Sequence, residues 1–358
     1  MWWWRRPGVD SGGRPAGSRH ICDDWKPRPR RRRKVRERSS DVRDRLRELS
    51  SSGRLVLPFP GGGMTRQRFR ALASLSAEDT VLGRMAEAHA DAAAILHELD
   101  GPPPATGQIW GVWAAEPPEP VLCARATSSG WVLEGRKLWC SGASFCTHAL
   151  VTARDGENRR LFAVSLTQPG VRPVPSSWHA VGMRESDSGA VDFDGAQATE
   201  VGVPGAYLDR AGFWHGAIGV AACWYGSACA VARPLHERAA KGRADEHALA
   251  HLGAVTAAMH AARLSLSAAA GEIDADPGGD RLDARIRART VRGVVEDAVT
   301  ATMDRVGRAL GAGPLCMDAE HARRVADLTV YVRQSHAEVD LAELGRDIAG
   351  EEFTWPDL

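Results

Sequence analysis

Between residues 40 and 104 the apolar side chains recur every three or four positions, the period of an amphipathic helix. Ser40-Asp41 and Thr65 are potential N-caps for the first two helices. The pattern predicts three helices, whose inward faces carry Val42, Leu46 and Leu49, then Phe69, Leu72 and Leu75, then Leu82, Met85, Ala92, Ile95 and Leu99. His89 and His97 lie on the third helix, where packed or polar-face histidines are commoner than functional ones. We expect a helical N-terminal part over 39–105.

Residues 130–195 have the pattern that is typical of β-structure. Residues 130–139 are extended around a predicted Glu134-Gly135 turn. Two apolar runs, 149–154 and 161–166, flank Asp155-Gly156-Glu157-Asn158, which is a hairpin signal. Residues 191–194 then alternate apolar with acidic side chains. These features predict a middle β domain over 106–205.

Helical periodicity returns after residue 205 and continues to the end of the chain. Residues 212–233 are apolar nearly all round and rich in Gly and Ala, which predicts a buried helix that Pro234 ends or kinks. Amphipathic helices are predicted over 245–274 and 282–310, and a last one from Asp318 past Tyr331 towards Leu344. Long helices with short links form an antiparallel bundle. The predicted fold class is therefore α+β: an N-terminal helical part, a middle antiparallel β-barrel-like sheet domain, and a C-terminal four-helix bundle over 206–358.

Charge changes this picture only at the N-terminus. The formal net charge of +1 conceals a strongly basic opening that includes Arg30 to Lys34. Residues 1–38 are rich in Arg, Pro and Gly and lack periodic apolar positions, so we expect a disordered basic extension. Such a run could contact nucleic acid or an anionic membrane, but a poorly constrained extension is the preferred interpretation. We therefore expect no nucleic-acid partner.

Apolar runs and cysteines indicate a cytoplasmic protein. No apolar run approaches the roughly 20 residues that span a bilayer, and the opening residues lack the apolar stretch of a signal peptide. The seven cysteines form no CxxC pair and no Cys/His spacing typical of zinc, so no metal is expected. Cys123, Cys223 and Cys229 lie in apolar contexts and are expected to be buried free thiols.

Five short motifs occur in the order known from one family of flavoproteins. Residues 113–117 (WAAEP) resemble a Thr-Glu-Pro strand end, and residues 135–142 (GRKLWCSG) resemble a strand whose Trp-x-Thr/Ser lies against a flavin. Residues 182–189 (GMRESDSG) resemble a Gly-x-Arg-Gly-Ser segment, and 216–219 resemble the start of the first bundle helix. Residues 308–313 resemble a Gly-rich stop near the FAD of a neighbouring subunit. Over residues 41–346 the chain resembles the acyl-CoA dehydrogenase family.

The resemblance implies a cofactor, a reaction and an assembly. It implies FAD and the α,β-dehydrogenation of an acyl-CoA thioester, with hydride transfer to the flavin and an electron acceptor that stays open. It also implies a homodimer or homotetramer. The residues that it places at the cofactor are Trp113, Glu116, Trp139, Ser141, Gly311 and Gly313, and those at the substrate are Arg184 and Ser186. An aromatic wall such as Trp139 suits a flat isoalloxazine, and Gly311 and Gly313 suit a close approach to a pyrophosphate.

The departures from the family concern its catalytic base and parts of its flavin site. The position of the family's catalytic Glu carries Gln334, whose amide cannot take up a proton from a thioester. Asp209, His336 and Glu338 are the remaining candidates. The hydroxyl of Thr-Glu-Pro is lost at Ala115, the Arg-x-x-Phe-Gly motif after the first bundle helix is missing, and the N-terminal helical part is short, which indicates an unusual or small substrate.

Two alternatives to dehydrogenation follow from these departures. A flavin-dependent monooxygenase of the same fold does not need the Glu, and His336 would suit it as a proton donor. A non-catalytic homologue, acting as partner subunit in a hetero-oligomer, would need neither the base nor the flavin hydroxyl.

Overall fold

The computed structural model describes residues 39–350, so the prediction for residues 1–38 lies outside the described part of the chain. The first three helices are α1 (Ser39–Ser51), α2 (Thr65–Glu78) and α3 (Thr80–Glu98). Their predicted inward side chains are buried, except that Leu75 and Leu99 are only partly so. Thr65 is not a cap, because its hydroxyl donates to Asp274 Oδ1 at 2.6 Å. His89 is a packed histidine, since its Nδ1 accepts from Trp110 N at 3.3 Å.

Seven strands follow the N-terminal helices. They are β1 (Trp110–Trp113), β2 (Leu122–Thr127), β3 (Gly130–Cys140), β4 (His148–Asp155), β5 (Asn158–Ser165), β6 (Val171–Pro173) and β7 (Gly189–Glu200). Strands β4, β2, β3, β7 and β5 close into a ring, because β5 pairs with both β7 and β4. Most pairs are antiparallel, whereas β1 and the edge of β2 run parallel to β4. The barrel-like sheet encloses its own apolar core around Phe162, Val151 and Val191.

The hairpin of the middle domain is confirmed, whereas the Glu134-Gly135 turn is wrong. Asp155 pairs with Asn158 at the tip of the β4–β5 hairpin. Strand β3 continues through residues 134 and 135, because both of its halves pair with the same strand, β7. The left-handed φ of +119° at Gly135 absorbs the irregularity there. Cys123 is exposed, contrary to expectation, because alternate residues of β2 face outwards.

The described C-terminal part consists of seven helices. They are α4 (Ala206–Asp209), α5 (Ala211–Ala240), α6 (Glu246–Ala275), α7 (Arg281–Leu310), α8 (Ala312–Met317) and α9 (Ala319–Tyr331), with α10 (Glu338–Ala349) as the seventh and last helix of the described residues. Helices α2 and α3 pack against α5 and join the same core. The predicted fold class is therefore confirmed. None of the described helices is long and apolar enough to cross a membrane.

Two details of these helices differ from expectation. Helix α5 continues past Pro234 to Ala240, so the proline does not end it, and a kink there stays a prediction. The predicted last helix is interrupted: α9 ends at Tyr331, a 3₁₀ turn follows, and α10 begins at Glu338. Arg292 Nη2 donates to the carbonyl oxygen of Gln334 at 3.1 Å, which satisfies that oxygen outside any helix.

The loop that carries the Gly-Met-Arg motif, before β7, is held against helix α9 by a hydrogen bond. The backbone N–H of Met183 donates to Asp327 Oδ1 of α9 at 2.6 Å, and both residues are buried. Burial raises the pKa of the Asp327 carboxyl to about 6. Arg323, which lies one turn earlier on α9, is an ion-pair partner of Asp327. The loop that carries the Gly-Met-Arg motif is thus fixed on α9.

Candidate functional site

A β-bulge at the end of β3 presents one tryptophan to the surface. The register between β3 and β7 shifts between Lys137 and Cys140, which is where the bulge lies. Trp139 inside it has a left-handed φ of +60° and is 59% exposed. Bulky residues rarely adopt this conformation, and bulges beside functional sites commonly redirect a side chain. The bulge therefore offers the indole face of Trp139 to a ligand.

A second tryptophan supports the first from the motif loop. The rings of Trp178 and Trp139 meet edge to face, with centroids 6.0 Å apart. Trp178 Nε1 donates to the carbonyl oxygen of Met183 at 3.0 Å, so the supporting ring is itself held in place. Since Met183 is bonded to Asp327, the aromatic wall is linked to helix α9.

Three serine hydroxyls form a hydrogen-bonded chain behind this wall. The donor in each of its bonds follows from the acceptor at the end of the chain, the Met183 carbonyl. Ser186 Oγ donates to the carbonyl oxygen of Met183 at 2.7 Å, and a carbonyl can only accept. Ser188 must therefore donate to Ser186 over 2.8 Å, and Ser141 must donate to Ser188 over 2.9 Å. Each hydroxyl has a single proton. Ser141 Oγ is thus left with lone pairs only, and it can accept a hydrogen bond from a ligand but cannot donate one.

Backbone groups next to Ser141 are already engaged. The N–H of Ser141 donates to the Trp139 carbonyl at 3.1 Å, and the N–H of Gly142 donates to the Ser186 carbonyl at 2.8 Å. The indole of Trp113 is 1% exposed and donates to the Ser141 carbonyl at 3.0 Å. The ring of Trp113 is fully buried, so its contact with a cofactor stays a prediction for which the structure gives no direct support. Its role here is to hold Ser141.

Glu116 belongs to a different part of the middle domain. Its Oε2 accepts from Arg159 Nε at 2.8 Å and lies 3.2 Å from Arg154 Nη2. Glu116 and Arg154 line a groove of about 520 Å³ beside the buried Lys137, whose pKa burial lowers to about 8. Glu116 is therefore engaged by two arginines, and the structure gives no direct support for its predicted cofactor contact.

The remaining predicted cofactor and substrate residues are not gathered at Trp139. Gly311 follows α7 and Gly313 lies inside α8, and a methyl group at either would meet no described atom within 4 Å. Close approach to a pyrophosphate at these glycines stays a prediction. Arg184 is exposed at the motif loop, whereas Ser186 is 1% exposed, so Ser186 can affect a substrate only through the serine chain.

The candidate bases lie at exposed positions. The carboxylate of Asp209, which ends α4, pairs with Arg281 Nη1 at 2.6 Å. The side chain of His336 is 74% exposed, with Nδ1 3.4 Å from Asp340 Oδ1, and Glu338 begins α10 at the surface. Gln334 is exposed as well. Among the described residues, none of these carboxylates is buried in the helical interior as the family's base would require.

Sequence reasoning missed a group of charged side chains inside the helical part. Arg84 and Glu87 of α3 form a buried ion pair at 3.0 Å, and Arg68 of α2 is 2% exposed. Asp91 lies one turn further along α3 against Gly216, where a methyl group would come within 2.7 Å of its carboxylate. The signal was present, since residues 84, 87 and 91 fall at helical spacing on a helix that is otherwise mostly apolar.

Comparison with known proteins connects this geometry to a fold. Residues 116–196 match the family model of the acyl-CoA dehydrogenase middle domain. No curated protein matches the chain by sequence. Among solved structures, dibenzothiophene monooxygenase TdsC from Paenibacillus sp. A11-2, in complex with FMN and indole, is 18% identical with a TM-score of 0.72, covering 89% of this chain and 98% of that one.

Two further solved structures show the same likeness. Methanesulfinate monooxygenase MsuC from Pseudomonas fluorescens is 17% identical with a TM-score of 0.73, covering 90% of this chain and 96% of that one. A nitrososynthase from Micromonospora carbonacea var. africana is 20% identical with a TM-score of 0.72, covering 87% and 92%. At these identities the likeness shows the fold.

Proposed function

We propose that this chain, which has the acyl-CoA dehydrogenase-like fold and a matching middle domain, is a flavin-dependent monooxygenase that uses reduced FMN. The observation that carries the proposal is the direction of the serine chain. A reduced flavin carries an N–H at the ring nitrogen where an oxidised flavin has only an acceptor. While the serine chain is intact, Ser141 Oγ offers only lone pairs and complements the reduced form.

The aromatic wall fits the same cofactor. An exposed indole held at a bulge, with a second ring at its edge, suits stacking on a flat isoalloxazine. When bound, the reduced flavin would supply the electrons that activate dioxygen, and the protein would supply orientation and hydrogen bonds. FMN is preferred over FAD because the Arg-x-x-Phe-Gly motif is missing and because FMN is the flavin named for the TdsC complex.

The positions of the predicted bases favour oxygenation over dehydrogenation. Removing an α-proton from a thioester needs a base close to the flavin, and Gln334 stands where the family's Glu is expected. Asp209 is paired with Arg281 at the surface, and Glu338 is exposed. His336 is equally exposed, so its role as proton donor for the oxygenation is proposed from the sequence alone.

Anaerobic flavin titration tests the proposed function. Reduced FMN is expected to bind about fivefold more tightly than oxidised FMN, because only the reduced ring can donate to Ser141, and one such bond is worth about 1 kcal/mol. Acyl-CoA thioesters are expected to leave bound oxidised flavin unbleached. Bleaching by a thioester would establish dehydrogenation instead, and failure to bind either flavin would support the non-catalytic partner.

Ser188→Ala is expected to remove the preference for reduced flavin. Without Ser188 as acceptor, the Ser141 hydroxyl is released to donate to the oxidised ring, so the ratio of the two dissociation constants should fall towards one. Thr127→Ala, which removes a hydroxyl at the far end of β2, is the matched control and should keep the ratio. An unchanged ratio in Ser188→Ala would show that the serine chain does not select the redox state.

A further inference from the structure

We infer that a groove between helices α2, α5 and α6 binds a small aromatic carboxylate. The groove has a volume of about 170 Å³, and the described residues that line it all belong to these three helices. Among them is none from the sheet or the motif loop, so the groove is separate from the aromatic wall at Trp139. The inference therefore concerns a second site and goes beyond the proposed function.

Small side chains on α2 and α5 leave the space for this groove. The two helices touch at Gly226, where a methyl group would lie 2.0 Å from the carbonyl oxygen of Ala73. The groove opens beside this contact, along the side chains of Ala73 and Ala222. Its floor is apolar, since Phe69 of α2 and Leu266 of α6 also line it and are buried. A ligand that covers this floor gains free energy from the apolar surface it removes from water.

Three arginines surround the floor, and none of them has a carboxylate partner among the described residues. Arg66 Nη2 donates to the Ser267 carbonyl oxygen at 3.3 Å, and Arg263 Nη2 lies 3.3 Å from His260 Nδ1. Arg70 makes no hydrogen bond and no ion pair with any described residue. Each guanidinium carries five N–H donors, so most of the donors at this groove are free to bind a ligand.

The charge around the groove favours an anion. The described residues that line it include three arginines and no Asp or Glu. Arg285 and Arg287 of α7, in contrast, each pair with a carboxylate, at 2.7 and 2.6 Å. Positive charge beside a low-dielectric apolar floor raises the local concentration of anions. A guanidinium binds a carboxylate through two parallel hydrogen bonds, so a carboxylate suits these side chains.

The size and the lining of the groove select the apolar part of the ligand. Phe69 and Tyr225 bring two aromatic rings to it, and such rings pack well against the ring of a ligand. The Tyr225 hydroxyl interacts with the Cys229 thiol on its own helix, so recognition of the carboxylate is left to the arginines. Sites for drug-sized ligands have volumes of about 300–1000 Å³. A groove of about 170 Å³ therefore fits a single ring with one carboxylate and is too small for FMN.

Calorimetric titration with three probes tests the inference. Benzoate has both the ring and the charge, benzamide has the ring alone, and acetate has the charge alone. We expect benzoate to bind at least tenfold more tightly than either of the others, because only benzoate uses the apolar floor and the arginines together. Its affinity should fall as salt is added and should be the same with and without bound FMN.

Matched variants place the binding in the groove. Arg70→Gln should weaken benzoate binding about tenfold without lowering the unfolding temperature, because Arg70 has no described partner to lose. Arg305→Gln is its control, since Arg305 on α7 makes no ion pair with a described residue either and does not line the groove. Ala73→Leu should weaken benzoate binding at least tenfold by filling the groove, with every arginine in place. Ala257→Leu adds the same volume at an exposed position of α6 and should leave the affinity unchanged.

Equal affinities for benzoate and benzamide would overturn the inference, and so would an equal loss in Arg70→Gln and Arg305→Gln. Displacement of benzoate by FMN would place benzoate at the flavin wall instead, with the same consequence. A second copy of the chain that covers the groove would appear as a lower sedimentation coefficient in Ala73→Leu and no benzoate binding to the parent chain, which also overturns it. None of these outcomes bears on the preference for reduced FMN, so the inference and the proposed function fail separately.

Discussion

Replacing Trp139 by alanine is expected to weaken flavin binding by about 10- to 100-fold, since a stacked aromatic ring contributes about 1.5–3 kcal/mol when buried by a ligand. The fold should remain intact, because the side chain is 59% exposed and its main partner is the edge of Trp178. Fluorescence quenching of reduced and oxidised FMN measures the affinity, and thermal unfolding measures the stability. A loss of affinity for both redox forms is expected, since stacking does not depend on the ring proton.

Comparison of Trp139→Gly with Trp139→Ala separates the contribution of the indole ring to flavin binding from the strain of the backbone at residue 139. Glycine adopts a φ of +60° without strain, so this variant should unfold at a higher temperature than Trp139→Ala, by about 1 kcal/mol in stability. Its flavin affinity should nevertheless be as low as that of Trp139→Ala. Trp139→Phe keeps an aromatic face and should retain most of the affinity. If alanine at residue 139 bound FMN like the parent chain, the bulge would not be the cofactor wall.

The sequence predicts the residue that forms the aromatic wall but not the backbone feature that exposes it. The aromatic wall was predicted from Trp139 because the motif gives residue type and spacing. The bulge that exposes it could not be predicted, since it arises from the pairing of β3 with β7, a partner more than fifty residues away. Periodicity describes one segment at a time, whereas a bulge is a property of two strands.

The bounds of the long helices can be predicted from the sequence because their signals are local. The breaks and loops between them depend on contacts with distant residues. Helix α7 was expected over 282–310 and is found over Arg281–Leu310, because its apolar period and its glycine stop are local signals. At the break between α9 and α10, Arg292 donates to the Gln334 carbonyl from another helix, a tertiary contact that the sequence cannot predict. Local bonds also mark the break, since the N–H of His336 donates to Asp340 and that of Ala337 donates to the Ser335 hydroxyl.

Hydrogen-bond direction was likewise outside the reach of the sequence. Ser141, Ser186 and Ser188 were visible in the motifs, but their order in the chain requires the Met183 carbonyl as its terminus. The charged side chains on α3, in contrast, could have been predicted from the sequence. Residues 84, 87 and 91 have helical spacing, so the sequence itself contains the signal of a charged stripe on this helix.

Gly182→Ala is expected to separate the motif loop from helix α9. A methyl group at residue 182 would lie 1.9 Å from the Ala326 carbonyl oxygen, a backbone atom that cannot move without bending α9. The loop must therefore shift, which breaks the bond from the Met183 N–H to Asp327 at its neighbouring residue. Overpacking costs about 1–3 kcal/mol, and losing a buried bond to a charged group costs about 1.5–3 kcal/mol. A destabilisation of about 3 kcal/mol or more is expected, measured by denaturant unfolding.

The same variant should also damage the flavin site, because the Met183 carbonyl accepts from both Trp178 and Ser186. We therefore expect weaker FMN binding together with a lost preference for the reduced form, a combination that Trp139→Ala does not produce. Gly253→Ala is the control, since a methyl group there meets no described atom and an alanine inside α6 should raise stability slightly. If Gly182→Ala kept both its stability and the redox preference, the motif loop would not be what holds the serine chain in its direction.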